Sequence, residues 1–392
     1  MEKVSLLGAA FIFGVLLAVA GAMLASPAEV VVNTFERSLF LEDTDENSAG
    51  VGVGDLNGDA WPDIVFGKGH HTPLHNRVLL NDGKGHFAAA NLGDTPDRTY
   101  SALLADIDGD GDLDVIVGND MPDRKLIYKN DGKGELTLAG SWGEPSWPTR
   151  HVTIADLNGD GYPDIVAANA GASLPLPIPY PSFMCLNDRT GAFPSCRPLP
   201  SESAVRILAA DFDGDGTIDL FVPHRDGGRN FILWNNGKGF VGPTSFRLRT
   251  SIGPEKSVIR VSAVGDFNGD GRPDLVACDD ERKTTSVFLN AGGRKFREPF
   301  TLPTRRRVAF AIAVADLNKD DKPDIVVGYS QSPGSVYFNG GDGRSFTEVR
   351  WNDGKGIVDE IAFGDMDKDG WLDIIAARTQ APNGIWFSAK RV

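Results

Sequence analysis

Short apolar runs organise the chain, and they come in pairs around an acidic stretch. Gly52-Val53-Gly54 is followed by Ile64-Val65-Phe66, and Leu103-Leu104-Ala105 by Val115-Ile116-Val117. Val314-Ala315 is followed by Ile325-Val326-Val327, and Ala362-Phe363-Gly364 by Ile374-Ile375. Runs this short and this rich in β-branched residues predict two buried strands joined by each acidic loop. Downstream, a third strand is predicted to end at Asn and a Gly-rich turn. Asn81-Asp82-Gly83-Lys84-Gly85, Asn130-Asp131-Gly132-Lys133-Gly134 and Asn235-Asn236-Gly237-Lys238-Gly239 show this hairpin signal. A Phe commonly follows (Phe87, Phe193, Phe240, Phe296, Phe346) and is expected to open a fourth strand.

The acidic stretch occurs seven times, with starts 51, 50, 55, 55, 50 and 49 residues apart. Every copy has Asp at positions 1, 5 and 9 and Asp or Asn at position 3. The first three copies carry Asp55, Asn57, Asp59 and Asp63; Asp106, Asp108, Asp110 and Asp114; and Asp156, Asn158, Asp160 and Asp164. The fourth and fifth carry Asp211, Asp213, Asp215 and Asp219; and Asp266, Asn268, Asp270 and Asp274. The last two carry Asp316, Asn318, Asp320 and Asp324; and Asp365, Asp367, Asp369 and Asp373. Four strands per repeat, seven times over, predict an all-β, seven-bladed β-propeller spanning 35–392 with no second domain. The last copy runs out after Ile385-Trp386-Phe387-Ser388, one strand short. Phe35 to Phe40 precedes the first loop as Phe87 to Leu92 precedes the second, so the N-terminal strand is expected to complete the last blade.

The net charge is −15, which disfavours a nucleic-acid partner. The loops explain most of it, because they hold 24 of the 54 acidic residues. Oxygens from positions 1, 3, 5 and 9, with a backbone carbonyl at 7, make an oxygen-only set suited to Ca²⁺. Seven such ions would nearly cancel the charge. An EF-hand is excluded, because position 12 is apolar (Phe66, Val117, Val327) and lies within a strand. Position 6 should favour Gly through positive φ. The first and sixth loops carry Ala60 and Asp321 there, so the first site is expected to be the weakest.

The loop Asp-x-Asn-Gly-Asp-Gly-x-x-Asp with its flanking apolar strands resembles the FG-GAP/VCBS repeat family, best known from integrin α-subunit propellers. The resemblance covers nearly all of 35–392. It implies a propeller whose loops bind Ca²⁺ on one face and whose opposite face often carries ligands. It does not imply one function, since adhesion receptors, lectin-like proteins and some polysaccharide lyases share the pattern.

On the face opposite the loops, residues entering first strands or leaving second strands are cationic. Arg150, His151, Arg206, His224, Arg225, Arg260 and Arg307 are the candidate ligand-binding residues, expected to surround one anion-attracting mouth. Tyr100, Lys68, His70, His71, Asn119, Asp120, Asn169, Asp279, Tyr329 and Arg378 stand at similar places. Loops also collect polar residues without binding anything. Three functions fit. One is an extracellular module that binds or adheres to a glycan or protein, including one with acidic groups. The second is a lyase for an anionic polysaccharide, with Arg neutralising a uronate and His or Tyr moving protons. The third is a structural scaffold. No zinc, phosphate-loop or Gly-x-Ser-x-Gly signature occurs.

Val4 to Ala25 is uncharged, follows Glu2 and Lys3, and contains the small-residue site Ala20-Gly21-Ala22. Residues 1–25 therefore read as a signal peptide or an uncleaved membrane anchor, with 26–34 a linker. Either reading places the rest outside the cytoplasm: secreted, at the cell surface or in the periplasm. Cys185 and Cys196 flank a turn and are expected to pair in an oxidising compartment, whereas Cys278 reads as a buried thiol. Leu174 to Pro181 is a Pro-rich insertion in the third blade.

Overall fold

The structure, a computed structural model, describes residues 32–170, 180–225, 228–237 and 249–390. The N-terminal export segment and most of the Pro-rich insertion lie outside these residues. The described residues contain no helix. They form seven antiparallel four-stranded sheets and one small hairpin. The first blade comprises Ser48–Gly54, Asp63–Lys68, Arg77–Asn81 and Phe87–Asn91, in sequential order. The first strands of successive blades touch in turn, and that of blade 7 returns to that of blade 1, so they form the inner wall of a closed ring. Apolar clusters sit between adjacent blades; one joins Val276 and Val287 of blade 5 to Ile312 and Ile325 of blade 6. This arrangement explains why second strands such as Asp114–Asn119 are buried throughout and do not alternate.

Closure follows the expected route. The last sheet has the order Asn33–Phe40, Gly384–Lys390, Asp373–Thr379, Ile357–Gly364, with Arg37 opposite Phe387. The N-terminal strand begins at Asn33, two residues before the expected start at Phe35, so Asn33 and Thr34 belong to the sheet. Blade 5 also departs from expectation. Phe296 lies in a small hairpin of Asn290–Gly292 and Lys295–Phe296, and the outer strand is Phe300–Thr301. In blade 3 the outer strand begins at Ser195, leaving Phe193 in the core. Cys185 and Cys196 stand opposite each other there and are joined by a disulfide. Cys278 is buried and free.

Two polar devices repeat around the ring. The Asp at position 9 is fully buried in every loop: Asp63, Asp114, Asp164, Asp219, Asp274, Asp324 and Asp373. Its Oδ2 accepts the backbone N–H of position 2, at 2.9–3.4 Å. Its Oδ1 accepts the N–H of a residue at or near the end of the third strand, at 2.6–2.9 Å. One carboxylate thus satisfies two buried donors and fixes the loop to its own blade.

The residue at this place forms the second device. The side-chain amides of Asn130, Asn187, Asn235, Asn290 and Asn339 donate to the position-2 carbonyl of the preceding blade, at 2.7–3.1 Å. Asn81 closes the same link from blade 1 back to Met366 in blade 7, at 3.1 Å. Blade 7 has Ser388 at this place, and Asn33 supplies the amide instead, donating to Leu317 O at 2.7 Å and to Ser388 Oγ at 2.8 Å.

Candidate functional site

Each acidic loop is built by its own carboxylates. Asp55 Oδ1 accepts from Gly58 N and Oδ2 from Ala60 N, both at 2.8 Å, and Asp59 Oδ1 accepts from Trp61 N at 2.8 Å. These bonds force positive φ at position 6 in all seven loops, including Ala60 at 68° and Asp321 at 61°. The carboxylates consequently crowd together. Asp106, Asp108 and Asp110 bring oxygens within 4.8 Å of one another, as do Asp211, Asp213 and Asp219, and Asp365, Asp367 and Asp373.

The donors are oxygen only, and Asp365 Oδ1 is buried without a partner. Both features fit a hard divalent cation. Burial first, then the neighbouring carboxylates, push Asp219 and Asp373 up to about 7 and Asp114 to about 6. A dication would oppose both causes. Basic side chains already reach six of the seven loops. Lys129 pairs with Asp108, Arg189 with Asp160, Arg294 with Asp213, Arg272 with Asp270, Lys322 with Asp320 and Arg37 with Asp367. The acidity of the loops is therefore balanced in part by the protein itself.

At the opposite end of the ring a β-bulge recurs in the inner strands. The register shifts at Ala49, Tyr100, Arg150, Arg260, Phe310 and Asp359, always six residues before the first Asp of the loop. A bulge re-aims a side chain at a rim, and here the re-aimed groups meet one another across blades. Arg150 of blade 3 lies over the Tyr100 ring of blade 2, 4.5 Å from its centroid. Arg260 of blade 5 lies 4.4 Å over Phe310 of blade 6. His70 of blade 1 stacks on Tyr100 at 4.9 Å and comes within 3.9 Å of Asp359 of blade 7.

The mouth formed this way is not the cationic funnel that the sequence suggests, because its charges are paired. Arg150 bonds Asp120 at 2.8 Å, Arg206 bonds Glu360 at 2.5 Å and Arg260 bonds Asp280 at 2.7 Å. Arg225 stands 3.7 Å from the same Asp280. Burial, His71 and Arg150 bring His70 down to about 4, and burial with Arg206 holds His151 well below the ordinary imidazole range, so both rings are neutral at pH 7. Burial and the adjacent Glu360 push Asp359 up to about 7.

Two of the seven candidate ligand residues lie elsewhere. His224 is buried against Phe231, with its backbone N–H bonded to Asn230. Arg307 lies across the outer half of blade 6, on Pro333 O, Ser335 Oγ and Glu348. Lys68, Asn119, Asn169, Asp279, Tyr329 and Arg378 are likewise buried at the ends of second strands and do not line a mouth. Sequence reasoning missed Phe310, Asp280, Asp359 and Glu360. The constant offset of the bulge from the loop is the signal that finds Phe310 and Asp359.

The FG-GAP-like repeat family matches residues 55–117, 106–167, 211–277, 266–327 and 316–376. Human T-cell immunomodulatory protein is 25% identical over 276 residues, 62% of this chain and 40% of its own length. Drosophila melanogaster integrin alpha-PS2 is 28% identical over 137 residues, 29% of this chain and 10% of its own. The chain thus spans less than half of either relative. An Agrocybe aegerita lectin structure, described as recognising non-reducing terminal N-acetylglucosamine, superposes with a TM-score of 0.53 at 19% identity, covering 86% of each chain. Chaetomium thermophilum Raptor superposes at 0.59 with 13% identity, covering 93% of this chain and 30% of its own. These two share the fold. The repeats matched span well over half of the sequence, and the chain belongs to the FG-GAP-like repeat family.

Proposed function

We propose that the chain is an extracellular, calcium-dependent adhesion or binding module for a protein or glycan. The observation that carries this is the division of the ring into two ends. One end holds seven oxygen-lined loops that fix the blades, and the other holds a mouth of half-buried charged and aromatic side chains drawn from several blades. The names of the integrin and the immunomodulatory relatives agree with a surface location and a protein ligand. Export rests on residues 1–25, through a cleaved signal or an anchor. Calcium, in up to seven loops, organises the end at which each inner strand arrives from the mouth.

The test is binding of the full chain to arrays of extracellular proteins and of glycans, with free Ca²⁺ and with chelator. A ligand retained with Ca²⁺ and lost with chelator supports the reading. Absence of any ligand on both arrays leaves the structural scaffold as the better description. One contact favours a second reading, a lyase on a uronate polymer: Tyr100 Oη is 3.0 Å from His71 Nε2, beside Arg150. Against it, burial with Asp120 and Asp359 pushes the Tyr100 phenol to about 12, which makes it a weak source of base at neutral pH. Absorbance rising at the unsaturated-uronate band on such polymers would establish the lyase.

A further inference from the structure

Among the described residues, the charges of the mouth pair off with one cation left over. Arg150, Arg206 and Arg260 each hold a carboxylate within 2.8 Å. Arg225 has only Asp280 among the described residues, at 3.7 Å, and Arg260 already holds that carboxylate at 2.7 Å. One carboxylate thus serves two guanidinium groups. Arg225 is also the most exposed of the four, with 43% of its side chain accessible against 11–21% for the others. Burial and the Arg260 charge both work against the Arg225 cation, more than Asp280 supports it. A second carboxylate from outside would relieve this imbalance and meet the guanidinium in its planar, two-pronged geometry.

We propose that Arg225 is the contact for an acidic side chain, Asp or Glu, of a protein partner that docks on the mouth end of the ring. The proposal rests on the binding-module reading above and adds the site and the partner's chemistry. A protein carboxylate is favoured over an acidic sugar by the state of the aromatic rings. His70 and Arg150 cover Tyr100, and Arg260 covers Phe310. An open aromatic face is the usual platform for a flat apolar surface, and these two rings do not offer one. A carboxylate on a flexible stem requires only the guanidinium. Seven Ca²⁺ ions would nearly cancel the net charge of −15, so the attraction for an acidic partner at Arg225 is local. Steering to this end therefore adds specificity more than rate.

The experiment uses the full chain in Ca²⁺, with poly-L-glutamate and an unsulfated glucuronate polymer as probes, read by fluorescence anisotropy. Wild type should bind poly-L-glutamate, more weakly as salt rises. Arg225→Ala should weaken that binding by about tenfold or more, with Arg225→Lys in between, because Lys keeps the charge without the fork. Arg229→Ala, which removes an exposed cation paired with Glu255 in the same blade, should bind as wild type does. Thermal melts of each variant separate loss of contact from loss of fold. Equal binding by Arg225→Ala, or no binding of poly-L-glutamate by wild type, overturns the proposal. Binding of the glucuronate polymer alone, lost in Arg225→Ala, overturns the protein-partner assignment in favour of a sugar acid. Retention by Arg225→Ala of a ligand found on the arrays leaves the binding-module reading standing and places its site elsewhere.

Discussion

The side-chain amide of Asn33 donates to the carbonyl oxygen of Leu317, 284 residues further along the chain, at 2.7 Å. Six other blade-to-blade links of this kind come from an Asn at or just beyond the end of a third strand, and only here does the N-terminal strand supply it. Asn33 therefore does more than occupy the first position of a closing strand. It replaces a residue that blade 7, with Ser388, does not have.

Asn33→Ala should accordingly lower stability by about 1–2 kcal/mol, leaving Leu317 O and Ser388 Oγ without this donor in a buried setting. Removing residues 1–41 should cost far more, because it exposes the edge of Gly384–Lys390 and removes Phe35 from the core. Urea midpoints at constant slope measure both. A truncated chain that unfolds at the parent midpoint contradicts this account of closure.

Much of this fold is legible in the sequence because the devices that build it are local and repeated. The Asp at position 9, the Gly-rich turn and the paired apolar runs recur at a near-constant period, and an N-terminal strand is the only piece left for an incomplete last blade. The mouth is less legible. Arg206 and Glu360, 154 residues apart, pair because the ring brings blades 4 and 7 to a common axis, and no spacing along the chain announces that. His224 and Arg225 are neighbours just beyond the second strand of blade 4, yet one is buried against Phe231 and the other stands at the mouth beside Asp280. Positions were readable to the end of a strand, and their partners were not.

The buried carboxylates make a contrast within a single loop. Asp164 satisfies Leu157 N and Asn187 N, whereas Asp160 sits in the outer part of the loop. In chelator, Asp164→Ala should destabilise by about 3 kcal/mol, having left two buried donors unpaired, and Asp160→Asn by under about 1 kcal/mol. Denaturant melts of both variants decide this. Equal effects would mean that position 9 acts only as a metal ligand.

Ala60 lies at φ 68°, where its Cβ crowds the backbone. Ala60→Gly, measured in chelator, should stabilise the chain by about 1 kcal/mol. Asp321→Gly at φ 61° should gain less, since Asp tolerates this conformation better. A destabilised Ala60→Gly variant would show that the Ala60 methyl makes a contact outweighing the backbone cost.

Asp359 gives a pH signature. Its folded-state pKa of about 7 lies above the ordinary carboxylate value, so the native state binds a proton that the unfolded chain has released. Its contribution to stability is fully present below about pH 4 and is lost as pH rises through 7, with His70, Glu360 and Arg260 as its charged or titratable neighbours. Asp359→Asn should match wild type near pH 4 and be more stable at pH 8, by up to about 4 kcal/mol. Stability measured by urea titration across this range checks the sign. A variant less stable than wild type at pH 8 would mean that the charged carboxylate is favoured at the mouth.

The most direct test of the account is calorimetric unfolding of the metal-free full chain at increasing free Ca²⁺. A cation bound only by the native loops stabilises by mass action, about 2.7 kcal/mol per site at a free concentration a hundred times Kd. The account predicts a transition temperature that climbs steadily with Ca²⁺ and falls back on chelation. A transition unmoved by either would contradict it and leave the seven loops as turns held by their own hydrogen bonds.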